Sequence, residues 1–179
     1  MRRAVRLCAA VAALSFVAAA VALAVPARAR WRTATEEELR RVIPARAPVI
    51  KENIETEFRT ASGVVDGRGR YIAGVVMITA GYSAEGKYSH FFLTQAPLRV
   101  GELDLPAGQY VFGYERASDD SIRVSFYRAA TGDRVGDAEA RRSTRKGTGV
   151  RSLLINPPAG GGRANIQIGR FLLEYRVAE

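Results

Sequence analysis

Apolar and polar residues alternate with a period of two over much of this chain, and the clearest run covers residues 103–128. Its first arm places Tyr110, Phe112 and Tyr114 on one face. Its second places Ile122, Val124 and Phe126 on one face. Such alternation predicts two half-buried strands joined as a hairpin. Both apolar sets share a face only if even-numbered residues pair with even-numbered ones. A two- or four-residue loop would pair even with odd and expose one set. A three-residue loop over 118–120 pairs Tyr114 with Val124 and Phe112 with Phe126. Such a loop is expected to carry a left-handed residue at its end, which Asp120 tolerates.

The rest of the pattern is mostly strand. Residues 31–43 form the one helical stretch. Thr35 and Glu38 have capping-box spacing, Leu39, Val42 and Ile43 supply an apolar stripe, and Pro44 ends it. Ile54, Thr56 and Phe58 alternate with Glu55, Glu57 and Arg59. Residues 71–80 are apolar on both faces and read as a central strand. Residues 87–95 put Tyr88, His90 and Phe92 on one face, and Pro97 interrupts the pairing beyond them. Residues 98–100 and 103–105 are short strand pieces, and Pro106 to Gly108 suits a type I turn. Residues 134–142 read as an edge strand, 143–149 as a basic loop and 150–156 as a strand. The final strand changes parity at Gly169-Arg170, for which a β-bulge at Gly169 is the simplest cause. The expected fold is all-β: an antiparallel sandwich or flattened barrel of about eight strands behind a short N-terminal helix.

The N-terminus does not fit this pattern. Arg2, Arg3 and Arg6 precede an uncharged Ala/Val-rich run over residues 7–25, and Ala27-Arg28-Ala29 matches a signal-peptidase site. The expected organisation is a signal peptide over 1–29, a short helix and Pro-containing linker over 30–48, and one β domain over 49–179. The rival is an uncleaved anchor. Cleavage predicts export to a periplasmic or extracellular location, with no integral membrane span afterwards. The outward charged faces do not suit an outer-membrane barrel. The sole cysteine, Cys8, leaves with the leader, so core packing rather than a disulfide must hold the domain.

Charge adds little. The formal net charge is +9. The leader holds Arg2, Arg3, Arg6 and Arg28 and no acid, which leaves +5 on the remainder. With three lysines among its cations, an exported chain of this kind is not expected to take nucleic acid as its partner.

The inventory of reactive residues is thin. There is one histidine, no G-x-S-x-G and no phosphate-loop spacing, so no cofactor or metal is expected. His90, with Lys87 and Tyr88 nearby in sequence, is the only candidate pocket group; a packed strand histidine is the simpler reading. Asp119-Asp120 reads as a turn former rather than a calcium site, and Glu55 with Glu57 as a solvated face. Arg141, Arg142, Arg145, Lys146 and Arg151 lie within eleven residues without an intervening acid. They form a candidate anion-binding patch for a lipid head, a cell-wall polymer or an acidic protein.

The stretch Leu105-Pro106-Ala107-Gly108-Gln109-Tyr110 resembles the L-x-x-G-x-Y strand start of secreted bacterial β-sandwich modules. The resemblance implies a β domain, often non-catalytic, and assigns no site. The expected function is an exported, non-catalytic binding or scaffold domain of the cell envelope. The alternatives are a barrel or sandwich holding a small apolar ligand and, less favoured, an enzyme using His90.

Overall fold

The structure is a computed structural model and describes residues 30–145, 149–159 and 162–178. The expected signal peptide lies outside the described residues. One helix, α1 (Glu36–Val42), accompanies thirteen strands. These are β1 (Arg32–Thr33), β2 (Arg46–Val49), β3 (Glu52–Val65), β4 (Tyr71–Met77), β5 (His90–Thr94), β6 (Leu98–Val100) and β7 (Leu103–Leu105), then β8 (Gly108–Arg116), β9 (Ser121–Arg128), β10 (Arg134–Arg142), β11 (Arg151–Ile155), β12 (Arg163–Gly169) and β13 (Phe171–Val177). All pair antiparallel, in the order β1-β3-β4-β5-β8-β9-β10-β13-β12-β11. Two short strands extend the sheet from β13, β6 directly and β7 beyond it.

The sheet curls until its ends meet, as a nearly closed barrel. β11 lies against β3 and β4. At that seam the Ile155 amide donates to Ser62 Oγ at 2.8 Å, in place of a backbone ladder. Gly74 keeps the seam close. A Cβ there would sit 3.1 Å from Leu153 Cδ2.

Alternation divides the apolar residues into two cores. Inward residues fill the barrel, among them Ile72, Phe92, Tyr110, Phe112, Val124 and Phe126. Phe112 and Phe126 face each other with centroids 5.3 Å apart, and Phe92 meets Phe126 edge-on at 6.1 Å. The second core lies outside the wall. There Leu39 of α1, its C-cap Ile43, Val49, Ile54 and the 78–88 loop cover the outer side of Val75, Phe91 and Val111. Strands β4 and β5 are therefore buried on both faces, which is why their sequence is mostly apolar, with His90 and Thr94 the buried polar exceptions. The helix keeps its capping box. Glu38 N donates to Thr35 Oγ1 at 3.2 Å, and Thr35 N donates to Glu38 Oε2 at 2.8 Å. It begins later than expected, because Arg32 and Thr33 pair with Val65 and Val64.

The expected hairpin register is present: Tyr114 pairs with Val124 and Phe112 with Phe126. The expected left-handed residue is not, since Ile50 is the one non-glycine residue with positive φ among those described. Ser118 holds the loop instead. Its hydroxyl lies 3.0 Å from Ser121 Oγ and accepts from the Asp120 amide at 3.2 Å. Three expectations are corrected. β10 is an interior strand, with inward Ala138 and Ala140 opposite Val124 and Ile122. The final strand is two strands, with Ile168 paired to Phe171. That pairing makes the parity change a tight turn and not a bulge, and Gly169 has φ 62°, as the first central position of a type II′ turn requires. Thirteen strands exceed the expected eight or so, because a continuous reading merges this hairpin and the short strands β1 and β2 carry little alternation of their own.

Candidate functional site

His90 is the sole histidine, and the barrel encloses it. It is 3% exposed. Its ring lies on Phe112 with centroids 4.5 Å apart and planes 7° from parallel, and Tyr114 closes the rim at 6.0 Å. Nδ1 lies 2.8 Å from Ser89 Oγ, and Nε2 lies 3.4 Å from the Ser152 carbonyl. Burial lowers its pKa to about 4, against a smaller opposing effect of the Ser152 carbonyl. At neutral pH the ring is thus uncharged, braced by a hydroxyl on one side and a carbonyl on the other.

Lys87 and Tyr88 do not share that environment. Tyr88 belongs to the outer core, where it meets Tyr127 edge-on at 5.0 Å. Strand β5 begins only at His90, so the alternation extended back to Tyr88 from sequence does not apply. The Lys87 ammonium lies 5.0 and 5.1 Å from the Tyr88 and Tyr127 ring centres. The Tyr88 hydroxyl beside it raises the lysine above its ordinary pKa, against desolvation. That hydroxyl is buried and completes no hydrogen bond of good geometry, so the approach is a charge–dipole contact. The wall of the barrel separates these two residues from the imidazole.

The interior where an apolar ligand would sit is occupied by the rings of Phe92, Phe112 and Phe126, each fully buried. Two further buried hydroxyls brace the same interior. Tyr110 donates to the Pro106 carbonyl at 2.6 Å, and Tyr175 donates to the Asn156 carbonyl at 2.6 Å. The first accounts for the L-x-x-G-x-Y stretch: the tyrosine folds back onto the turn that starts its own strand.

The arginines singled out from sequence gather at one end of the barrel. This end carries the 118–120 loop and the Gly169-Arg170 turn. Arg141 and Arg142 pair with Leu172 and Phe171 across β10 and β13, and Arg151 lies opposite Gly169. Lys146 lies outside the described residues. The fold adds Arg116 and Arg170 to this end. Strand pairing brings Arg116 beside Ile122, and Ser143 N donates to the Arg170 carbonyl at 2.9 Å. Several of these side chains are already engaged. Arg142 donates to the Asp119 carbonyl at 2.7 and 3.1 Å and lies 3.2 Å from Asp120 Oδ1. Arg116 pairs with Asp119 at 3.1 Å, and Arg141 with Glu139 at 3.3 Å.

The other acidic candidates are engaged too. Glu55 pairs with Arg46 at 2.8 Å and Glu57 with Arg59 at 3.0 Å. Among the described residues no three His, Cys, Asp or Glu side chains converge as metal ligands. Among them, too, no helix is long and apolar enough to cross a membrane.

Sequence reasoning misses one charged surface. Arg163, Arg176 and Arg99 stand directly opposite one another on β12, β13 and β6. They line an open depression of about 440 Å3. Nothing in the sequence spacing, over residues 99–176, announces that row. Comparison with family models, with curated proteins and with solved structures finds no match for the chain.

Proposed function

We propose that this protein is an exported, non-catalytic binding domain of the cell envelope that engages an anionic partner through the 118–120 end of its barrel. The observation that carries this reading is the charge at that end. Arg116, Arg141, Arg142, Arg151 and Arg170 come to it from three separate stretches of sequence, with Arg145 following two residues after Ser143, whose hydroxyl accepts from the Arg145 amide. Asp119 pairs with Arg116, Asp120 with Arg142 and Glu139 with Arg141. The positive excess therefore comes from several strands brought together and not from one loop, and it favours an anionic surface through long-range attraction. The filled interior supports surface binding over enclosure of a ligand. Burial of the lone histidine among aromatic rings, with no carboxylate at either nitrogen, supports a non-catalytic role. The leader pattern over residues 1–29 supports export.

The test is sedimentation of the protein with the isolated envelope fraction of its host, as salt is raised, together with the mass of the recovered chain. The expected result is a chain beginning at Arg30 that sediments at low salt and is released at high salt. Substituting Arg145, Arg151 and Arg170 with Ser should release it at lower salt. These positions avoid Arg142, which braces the hairpin tip. Sedimentation unchanged by the triple substitution would overturn the proposed surface. An uncleaved chain confined to the cytoplasm would overturn export.

A further inference from the structure

Rows of directly opposed side chains on an antiparallel sheet normally alternate in sign, because like charges facing across a pair of strands are unfavourable. The outer wall of this barrel keeps that rule in one row. Glu115, Arg123 and Glu139 stand opposite one another on β8, β9 and β10. It breaks the rule in another. Arg163 faces Arg176, Arg176 faces Arg99, and only then does Asp104 follow on β7. Neighbouring strands lie about 4.8 Å apart, so three guanidinium groups originate within about 10 Å.

The row is unevenly neutralised. Arg99 is held by Glu102 at 2.6 Å and by Asp104 at 3.1 Å. Its Nε is buried without a hydrogen-bond partner. Arg163 and Arg176 are exposed and make no ion pair among the described residues. The adjacent outward row supplies Asn165 opposite Glu174. Together these side chains line the 440 Å3 depression. Gly101 also lines it, and its amide donates to the Glu174 carbonyl at 3.0 Å.

We infer that this depression is a binding site for a phosphate group, held between Arg163 and Arg176. The guanidinium fork matches the oxygens of phosphate, and an anion taken by both arginines offsets the repulsion that their pairing otherwise imposes. Asn165 offers an amide donor at the inner edge. Glu174 stands on the same face and disfavours a second phosphate beside the first, which limits the site to a single group. The site lies on the outer wall at the end where β12 begins and β13 finishes, away from the 118–120 loop. It is independent of the anionic surface proposed above. The phosphate could be a free ion or the headgroup of a lipid, and the chemistry at the two arginines is shared.

The experiment is thermal unfolding of the protein in chloride and in inorganic phosphate at equal ionic strength, for the native protein and for Arg176→Gln and Arg163→Gln. Phosphate at saturation is expected to raise Tm of the native protein by about 2–4 °C. Each variant should lose that rise. In chloride each should melt no lower than the native protein, since a like-charge pair has been removed. That second readout shows that a lost response is not a lost fold. A Tm insensitive to phosphate overturns the inference, and so does a rise that survives in both variants. Vesicles of phosphatidylglycerol or of phosphatidylcholine distinguish the sources. Binding weakened by Arg176→Gln assigns a lipid headgroup, and vesicle binding equal in both proteins alongside a lost phosphate response assigns the free ion.

Discussion

The imidazole of His90 lies flat on the phenyl ring of Phe112, 4.5 Å between centroids. That stack makes the imidazole part of the barrel's aromatic core. Its pKa in the fold is about 4, against 6.5 for the free side chain. The unfolded chain therefore binds a proton that the folded chain refuses between these values, and stability falls as pH drops through that window. Above pH 6.5 the group contributes no pH dependence. Below pH 4 the accumulated loss reaches roughly 3 kcal/mol. Urea unfolding at pH 6.5 and pH 5 should show the slope in a range where ordinary carboxylates contribute little. His90→Phe keeps a ring on Phe112 and should flatten it. A slope unchanged by that substitution would place the acid sensitivity elsewhere.

The Tyr110 hydroxyl donates to the Pro106 carbonyl at 2.6 Å, with its ring fully buried. Tyr110→Phe removes that bond at the turn before β8 and should cost about 1 kcal/mol in denaturant unfolding. Tyr114→Phe, on the same face of the same strand, is the control. Tyr114 is 48% exposed at the rim, and its hydroxyl makes no hydrogen bond among the described residues, so its loss should fall within about 0.5 kcal/mol. Equal losses at the two positions would remove the turn-bracing role of Tyr110.

Legibility follows locality. Phe112 and Phe126 are joined by a short loop, and parity alone dictates their pairing. Ile168 and Phe171 obey the same parity rule, yet a parity change admits either a bulge or a two-residue turn. The pairing of Arg163 with Arg176 decides for the turn, and that pairing is not visible in a single segment. The charged surfaces divide in the same way. Arg141, Arg142, Arg145 and Arg151 are neighbours in sequence and stand out. Arg170 joins them, and Arg99 meets Arg176, only after strands far apart in sequence are aligned. Alternation carried past the start of β5 groups His90 with Tyr88, although the two face different cores.

Gly169 tests the corrected turn. Its φ of 62° is costly for a residue with a Cβ, although a Cβ there meets no atom within 4 Å. Gly169→Ala should therefore destabilise by about 1–2 kcal/mol through backbone strain alone. Gly169→Asn, which tolerates the left-handed region, should lose less. A residue 169 with ordinary negative φ would not rank the two in that order. The measurement is the denaturation midpoint of each variant at neutral pH.

Gly113 is the position where a single methyl group should matter most. A Cβ there would stand 2.2 Å from the Lys87 carbonyl oxygen. Both partners are backbone, so no side-chain rotation can relieve the contact. The segment that would have to move is the one leading into β5, where Ser89 N donates to the Phe112 carbonyl at 2.9 Å. Displacing it disturbs the outer core at Tyr88 and the inner one at His90 together. Gly113→Ala should cost about 3 kcal/mol, the upper part of the range for overpacking. Gly67→Ala is the matched control at an exposed turn, with nothing within 4 Å of the added Cβ, and should change stability by less than about 0.5 kcal/mol. If Gly113→Ala unfolds no earlier than Gly67→Ala, residues 87–89 do not rest on β8 as described. If it unfolds early while hydrogen exchange stays slow in β9 and β10, the cost is confined to that loop and the barrel wall is intact without it.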